Sequence, residues 1–143
     1  MKRKLFRGEH GAATVEFAII SIVLLAIVFG IIEFGVLMFN QHVLTNASRE
    51  GARAGIVMAL TRVSDAEIEQ KVADYAQKFM VTFGTANNLS TNVTRTWLTK
   101  VPPTLEFGDE LVVNVTYDFD FLVLSIFGLE PITLKAETRM RME

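Results

Sequence analysis

The chain has 143 residues, no cysteine, a net charge of −2 and 50% hydrophobic residues, with a mean hydropathy of +0.34. Without cysteine there is neither a disulfide framework nor a thiolate metal site, and the acidic balance argues against a nucleic-acid-binding body. The charge is uneven: Lys2, Arg3, Lys4 and Arg7 against Glu9 give residues 1–11 a net +3, which leaves −5 on the remainder.

Residues 1–11 (MKRKLFRGEHG) are basic, broken by Gly8 and Gly11, and without periodicity. They read as a leader. From Thr14 a helical signal begins, and Phe17 to Ile32 is 16 residues without a charge. Phe17 to Phe39 is 23 residues interrupted only by Glu33. Since a spanning helix needs about 20 residues, residues 12–39 are expected to form one transmembrane helix, with Glu16 and Glu33 near its two ends. The basic cluster before the helix places the N-terminus in the cytoplasm and residues 40–143 outside. A cleaved secretory signal fits less well, because the apolar run is too long and the following Ala-x-Ala, Ala52-Arg53-Ala54, lies far beyond it.

No proline occurs before Pro102, so the helix is expected to continue past Phe39 toward Leu60 and project from the membrane. In that extension Ala47, Gly51 and Gly55 recur every four residues on one face. Such a stripe, with Arg53 beside it, suits close helix packing, either on this chain's own sheet or on a neighbouring subunit.

Ser64-Asp65-Ala66-Glu67 is a capping box that opens a second helix. Ile68, Val72, Tyr75, Phe79 and Phe83 lie on its one apolar face, and Gly84 is the expected stop. After a polar loop over 85–91 the period changes to two. Asn92 to Leu98 is a weak strand ended by Pro102-Pro103. Leu111, Val113, Val115, Tyr117, Phe119 and Phe121 alternate with polar residues, as do Ile132, Leu134, Ala136, Met140 and Met142. One apolar face per strand implies an antiparallel sheet covered on one side. The expected fold is α+β: a long N-terminal transmembrane helix running into an outer domain, where a second helix packs on a small sheet of about three strands. The apolar stretch Phe121 to Leu129 is too short to span a bilayer. It is expected to be buried at the sheet edge, the alternative being an exposed patch against a partner or the membrane surface.

Chemistry-bearing patterns are few. His10 and His42 are the two histidines, too far apart for a ligand pair, so no metal or cofactor is expected. No nucleophile elbow, P-loop or dinucleotide fingerprint occurs, and the chain is not expected to be an enzyme. Glu16 stands out because a carboxylate at a membrane helix calls for a partner. Two accounts stay open for it: favourable placement in the first helical turn at the head-group boundary, or a contact with another subunit. Glu33 is expected to snorkel to the outer interface.

Gly11-Ala-Ala-Thr-Val-Glu16-Phe17 followed by an apolar helix resembles the processing motif of Flp (type IVb) prepilins. The continuation from Leu44 through Gly51 and Arg53 to Ala54 is similar to TadE-like proteins of the tight-adherence (Tad) pilus system, and the ending Ile132 to Met142 resembles their last strand. The resemblance implies a pilin-like pseudopilin or minor pilin in the inner membrane. It also implies cleavage between Gly11 and Ala12 by a prepilin peptidase, which leaves Glu16 as the fifth residue of the mature chain, with Phe17 beside it, to meet the terminal amine of an adjacent subunit. Implied partners are other pilins and pseudopilins, the peptidase, the inner-membrane assembly platform and the lipid bilayer, in pilus assembly and adhesion. The alternative within the same system is an uncleaved single-span component that binds another subunit through its outer domain. A small-ligand-binding domain would instead need a concave pocket with convergent polar groups.

Overall fold

The computed structural model describes residues 9–57, 63–82, 89–96 and 109–141. Residues 1–8, Leu60, Phe83, Gly84, Leu98, Pro102, Pro103 and Met142 therefore lie outside the described residues. The first helix, α1, spans Glu9–Ile56, 48 residues, or about 72 Å at 1.5 Å per residue. It begins five positions before Thr14 and passes through Gly11 without a break. The second helix, α2, spans Asp65–Phe79. Three strands follow, β1 (Leu89–Thr96), β2 (Glu110–Phe119) and β3 (Ile132–Arg141), with a single 3-10 turn, η1 (Leu124–Phe127), between β2 and β3. The strands form an antiparallel meander in the order β1-β2-β3.

Register follows the alternation. Val113 of β2 lies opposite Val93, Val115 lies opposite Thr91 and Ala136, and Tyr117 lies opposite Leu89 and Leu134. The odd positions of β2 thus meet the apolar positions of β3 on one face, where Leu111, Val113, Val115, Tyr117 and Phe119 are all buried. The opposite face carries Thr94, Asn114, Asp118, Lys135, Glu137 and Arg139, half-buried or exposed. Arg139 Nε lies 2.5 Å from Glu137 Oε1 there; the hydrogen bond and charge of Glu137 push the guanidinium up from its ordinary value. An exposed pair of this kind adds little to stability.

The second half of α1 is the spine of this layer. It packs along β3 and β2, and α2 lies beside it and over β1. Leu44, Ala47 and Ala52 from α1, Ile68 and Val72 from α2, and the inner face of β2 form one core. The small-residue stripe is consumed here, on α2 more than on the sheet. A Cβ on Gly51 would overlap the Val72 side chain, and one on Gly55 would overlap the Leu111 and Ile68 side chains. Two helix axes can come this close only because those positions carry no side chain. Arg53 is exposed and takes no part in the packing.

Two boundaries differ from the sequence expectation. The capping box of α2 is present in both directions, the Ser64 side chain accepting from the Glu67 N–H and the Glu67 side chain accepting from the Ser64 N–H, yet the helix stops at Phe79 rather than running to Gly84. The cause is remote in sequence. Asn40 of α1, fully buried, donates from Nδ2 to the Val81 carbonyl at 2.9 Å and accepts the Val81 N–H at 3.0 Å. That pairing holds the chain extended just past the helix, and Phe79 is left 44% exposed. Strand β1 starts at Leu89, three residues earlier than Asn92, because Leu89 pairs with Tyr117.

Alanine at Gly51 or Gly55 is expected to destabilise the full chain by about 1–3 kcal/mol through overpacking, despite a helix preference of about 1 kcal/mol in its favour. Gly35, whose added Cβ meets nothing within 4 Å, serves as the control: Gly35→Ala should be neutral or stabilising. Chemical denaturation in detergent, followed by circular dichroism, compares the three.

Candidate functional site: the lipid-type helix and its junction with the domain

Helix α1 changes character along its length. None of residues 11–32 is buried: Val15, Phe17, Ile19, Ile20, Ile22 and Val23 are each more than half exposed. From Glu33 onward every turn buries something, including Leu37, Asn40, Leu44 and Ala47. A long, fully exposed apolar helix is costly in water and ordinary in lipid, so this half is compatible with a single-pass membrane anchor. Gly11, Ala12, Glu16 and Phe17 all lie on its exposed first turns. The structure brings none of them together with Ala47, Gly51 and Gly55, which are buried some 35 positions further on.

The change occurs at Glu33. Its side chain is 2% exposed and does not snorkel outward. It turns to the segment after β2 and accepts two backbone N–H groups, Val123 N–H at Oε1 and Leu124 N–H at Oε2, the latter at 3.1 Å. These are the first donors of η1, which a 3-10 turn cannot satisfy internally. A carboxylate there meets both their unpaired hydrogens and their partial positive charge.

Neighbouring contacts complete the junction. The Phe34 ring lies 6.2 Å from that of Phe121, which in turn meets Phe119 edge-on at 5.4 Å. At Gly30 a Cβ would sit 4.0 Å from Leu124 Cδ2. The turn closes at Gly128, whose φ of 85° is left-handed, a conformation that favours glycine. About two turns further along α1, Gln41 Nε2 donates to the Lys135 carbonyl at 2.8 Å. The buried Ser48 hydroxyl donates to the Thr45 carbonyl at 2.9 Å and lies 2.6 Å from Thr138 Oγ1. Among the described residues, no buried side-chain nitrogen or oxygen is left without a partner.

The stretch Phe121 to Leu129 is therefore not buried at a sheet edge. Phe121 is buried, but Leu122, Ile126, Phe127 and Leu129 are 56%, 78%, 56% and 40% exposed. The backbone is anchored inward by Glu33, and the side chains face outward. Of the polar residues that matter here, Asn40 was the least legible, because a lone amide after an apolar run gives no hint of a partner 41 positions away. Its one signal is that Asn40-Gln41-His42 abruptly breaks the hydrophobic run.

Elsewhere a groove of about 450 Å³ lies between α2 and β1, lined by residues that include Glu69, Gln70, Gln77 and Thr91. Glu69, Gln70 and Gln77 are exposed, and Gln70 donates to Asp74 at 2.7 Å. Its polar groups do not converge on a point. No group of three or more His, Asp or Glu residues that could hold a metal ion occurs among the described residues.

Removing the Glu33 carboxylate should free the turn. In Glu33→Ala the Val123 and Leu124 amides are expected to exchange hydrogen at least tenfold faster, a loss of about 1.5–3 kcal/mol of charge-assisted hydrogen bonding, while amides of β2 and β3 remain protected. Peptide-resolved hydrogen exchange of the full chain in detergent measures both.

Residues 11–53 match the family model described as TadE-like protein. Neither the curated proteins nor the solved structures give a match to the chain. The matched segment falls wholly inside α1 and takes in Gly11, Glu16, Glu33, Asn40 and Gly51; along this helix, exposed apolar half and packed half together, the sequence is similar to that of TadE-like proteins.

Proposed function

We propose that the chain is a minor pilin or pseudopilin that takes part in assembly or initiation of a Tad-type (type IVb) pilus, with a structural rather than catalytic role. The carrying observation is the form of α1 within the TadE-like segment: an apolar helix left exposed for its first half, with the Glu16 carboxylate on its exposed opening turns. Such a helix suits two environments in turn, the bilayer before assembly and the packed interior of a pilus after it. In this reading the leader stays in the cytoplasm, residues 12–39 cross the inner membrane, and the α+β domain lies outside. A prepilin peptidase cuts after Gly11.

Cleavage gives Ala12 a free ammonium. In hydrocarbon an ammonium and a carboxylate are each costly alone, and apposing them offsets much of the cost. Glu16 of one subunit then sets its register against the amine of the next, with Phe17 packing alongside. Other pilins, the peptidase and the inner-membrane assembly platform are the partners this role requires. One observation favours the second reading, an uncleaved anchored component of the same apparatus: the peptide between Gly11 and Ala12 lies within continuous helix, which a peptidase would have to unwind.

The intact mass of the protein extracted from its native membrane is expected to correspond to residues 12–143. A mass that retains Met1 or Lys2 assigns the chain to the uncleaved reading. Glu16→Ala is expected to leave membrane insertion unchanged and to reduce pilus number at least tenfold by electron microscopy; normal piliation would rule out the ammonium pairing.

A further inference from the structure

The turn from Phe121 to Leu129 has a fixed height on α1. Glu33 holds Val123 and Leu124, Gly30 faces Leu124 and Phe34 packs on Phe121, so η1 is level with residues 30–34. With Glu16 at the inner boundary, Glu33 lies about 25 Å along the axis, whereas the hydrocarbon is about 30 Å thick. A tilted helix would place Glu33 deeper still. The level of η1 is thus just inside the outer boundary of the bilayer.

Two properties of the turn suit that position. Its outward side chains, Leu122, Ile126 and Phe127, are more than half exposed and continue the exposed apolar belt of Ile31 and Phe34 on α1. Its backbone donors are also largely satisfied within the protein. Val123 and Leu124 give theirs to Glu33, Ile126 to the Val123 carbonyl, Gly128 to that of Ser125 and Leu129 to that of Leu124, and the Ser125 hydroxyl donates to the Leu122 carbonyl. Water would satisfy such groups without help; lipid cannot. Asp120 and Glu130 bound this uncharged segment on either side and mark where it returns to water.

We propose that this turn is a second membrane contact, in which Leu122, Ile126 and Phe127 enter the outer leaflet at the boundary between head groups and acyl chains. The contact rests on the reading of α1 as a membrane anchor. It fixes the tilt of the α+β domain on the bilayer, which one helix alone would leave free.

The absence of cysteine permits single-cysteine labelling of the full chain in phosphatidylcholine vesicles. Ile126→Cys and Leu122→Cys carry an environment-sensitive fluorophore, and lipids bearing a nitroxide high or low on the acyl chain act as quenchers. Ile22→Cys reports the anchor itself. Thr94→Cys, exposed and paired with Val112 about 24 Å along β2 from Phe119, reports the distal domain. Expected are several-fold stronger quenching by the shallow nitroxide at 126 and 122 than at 94, and deep quenching at 22. Deep quenching at 22 with 126 and 122 no more quenched than 94 overturns the second contact and leaves the anchor standing. No quenching at 22 overturns the anchor, and the second contact with it. Shielding at 126 that is lost when protein is diluted into excess lipid assigns the patch to a second copy of the chain and overturns the lipid contact.

Discussion

A carboxylate within an apolar helix must find hydrogen-bond donors or be carried to water. Glu33 finds them in the backbone of a turn 90 positions away, and this choice fixes how the sheet hangs on α1. Because both oxygens are used, and Phe34 and Gly30 add contacts on either side of the same helical turn, the β2–β3 connection is held in place rather than merely tethered. The buried part of α1 therefore begins at Glu33, and ahead of it, apart from the contact of Gly30 with Leu124, the helix stands clear of the domain.

The packed half of α1 is held by two kinds of interaction with different consequences. Ala47, Gly51, Ala52 and Gly55 contribute closeness: they let α2 and β2 approach until their own side chains fill the space. Asn40, Gln41 and Ser48 contribute position, each pairing with a particular group on another element. Apolar packing alone would tolerate a small slide of α1 along the sheet. Buried polar pairs do not, since a slide would leave Asn40 and the Val81 peptide groups desolvated and unpaired.

What the sequence made legible is what local rules govern. The Ser64/Glu67 box is reciprocal over three residues, and the alternation of Leu111 to Phe119 states its inner face directly, so the start of α2 and the buried face of the sheet could be read in advance. The misreadings have a common cause, a partner distant in the chain. Asn40 ends α2 early, Tyr117 draws β1 back to Leu89, and η1 draws Glu33 inward when isolated helix physics would send it outward. The same holds for Phe121 to Leu129: its composition is apolar, but whether it is buried depends on which of its atoms α1 holds, and α1 holds the backbone. At the candidate site, Gly11, Glu16 and the small-residue stripe were visible as a pattern, while the division of α1 at Glu33 was not.

That division constrains how α1 can associate with anything else. The stripe at Ala47, Gly51 and Gly55 is the surface best suited to close helix pairing, and it is filled by this chain's own Ile68, Val72 and Leu111. A second helix could reach it only by displacing α2 and opening the core. Lateral association through α1 is left with the apolar residues ahead of Glu33 and the outer face beyond it, where Phe34, Met38 and Phe39 are exposed; ahead of Glu33, Ala18, Ala26 and Gly30 share a four-residue register, but bulky Ile22 interrupts it and Gly30 faces Leu124. Packing there is governed by broad apolar contact and, for register, by whatever charge can be paired, and Glu16 is the one ionisable side chain between Gly11 and Glu33. Under the proposed pilin reading, the register of a helix contact made by the exposed half falls on that single carboxylate.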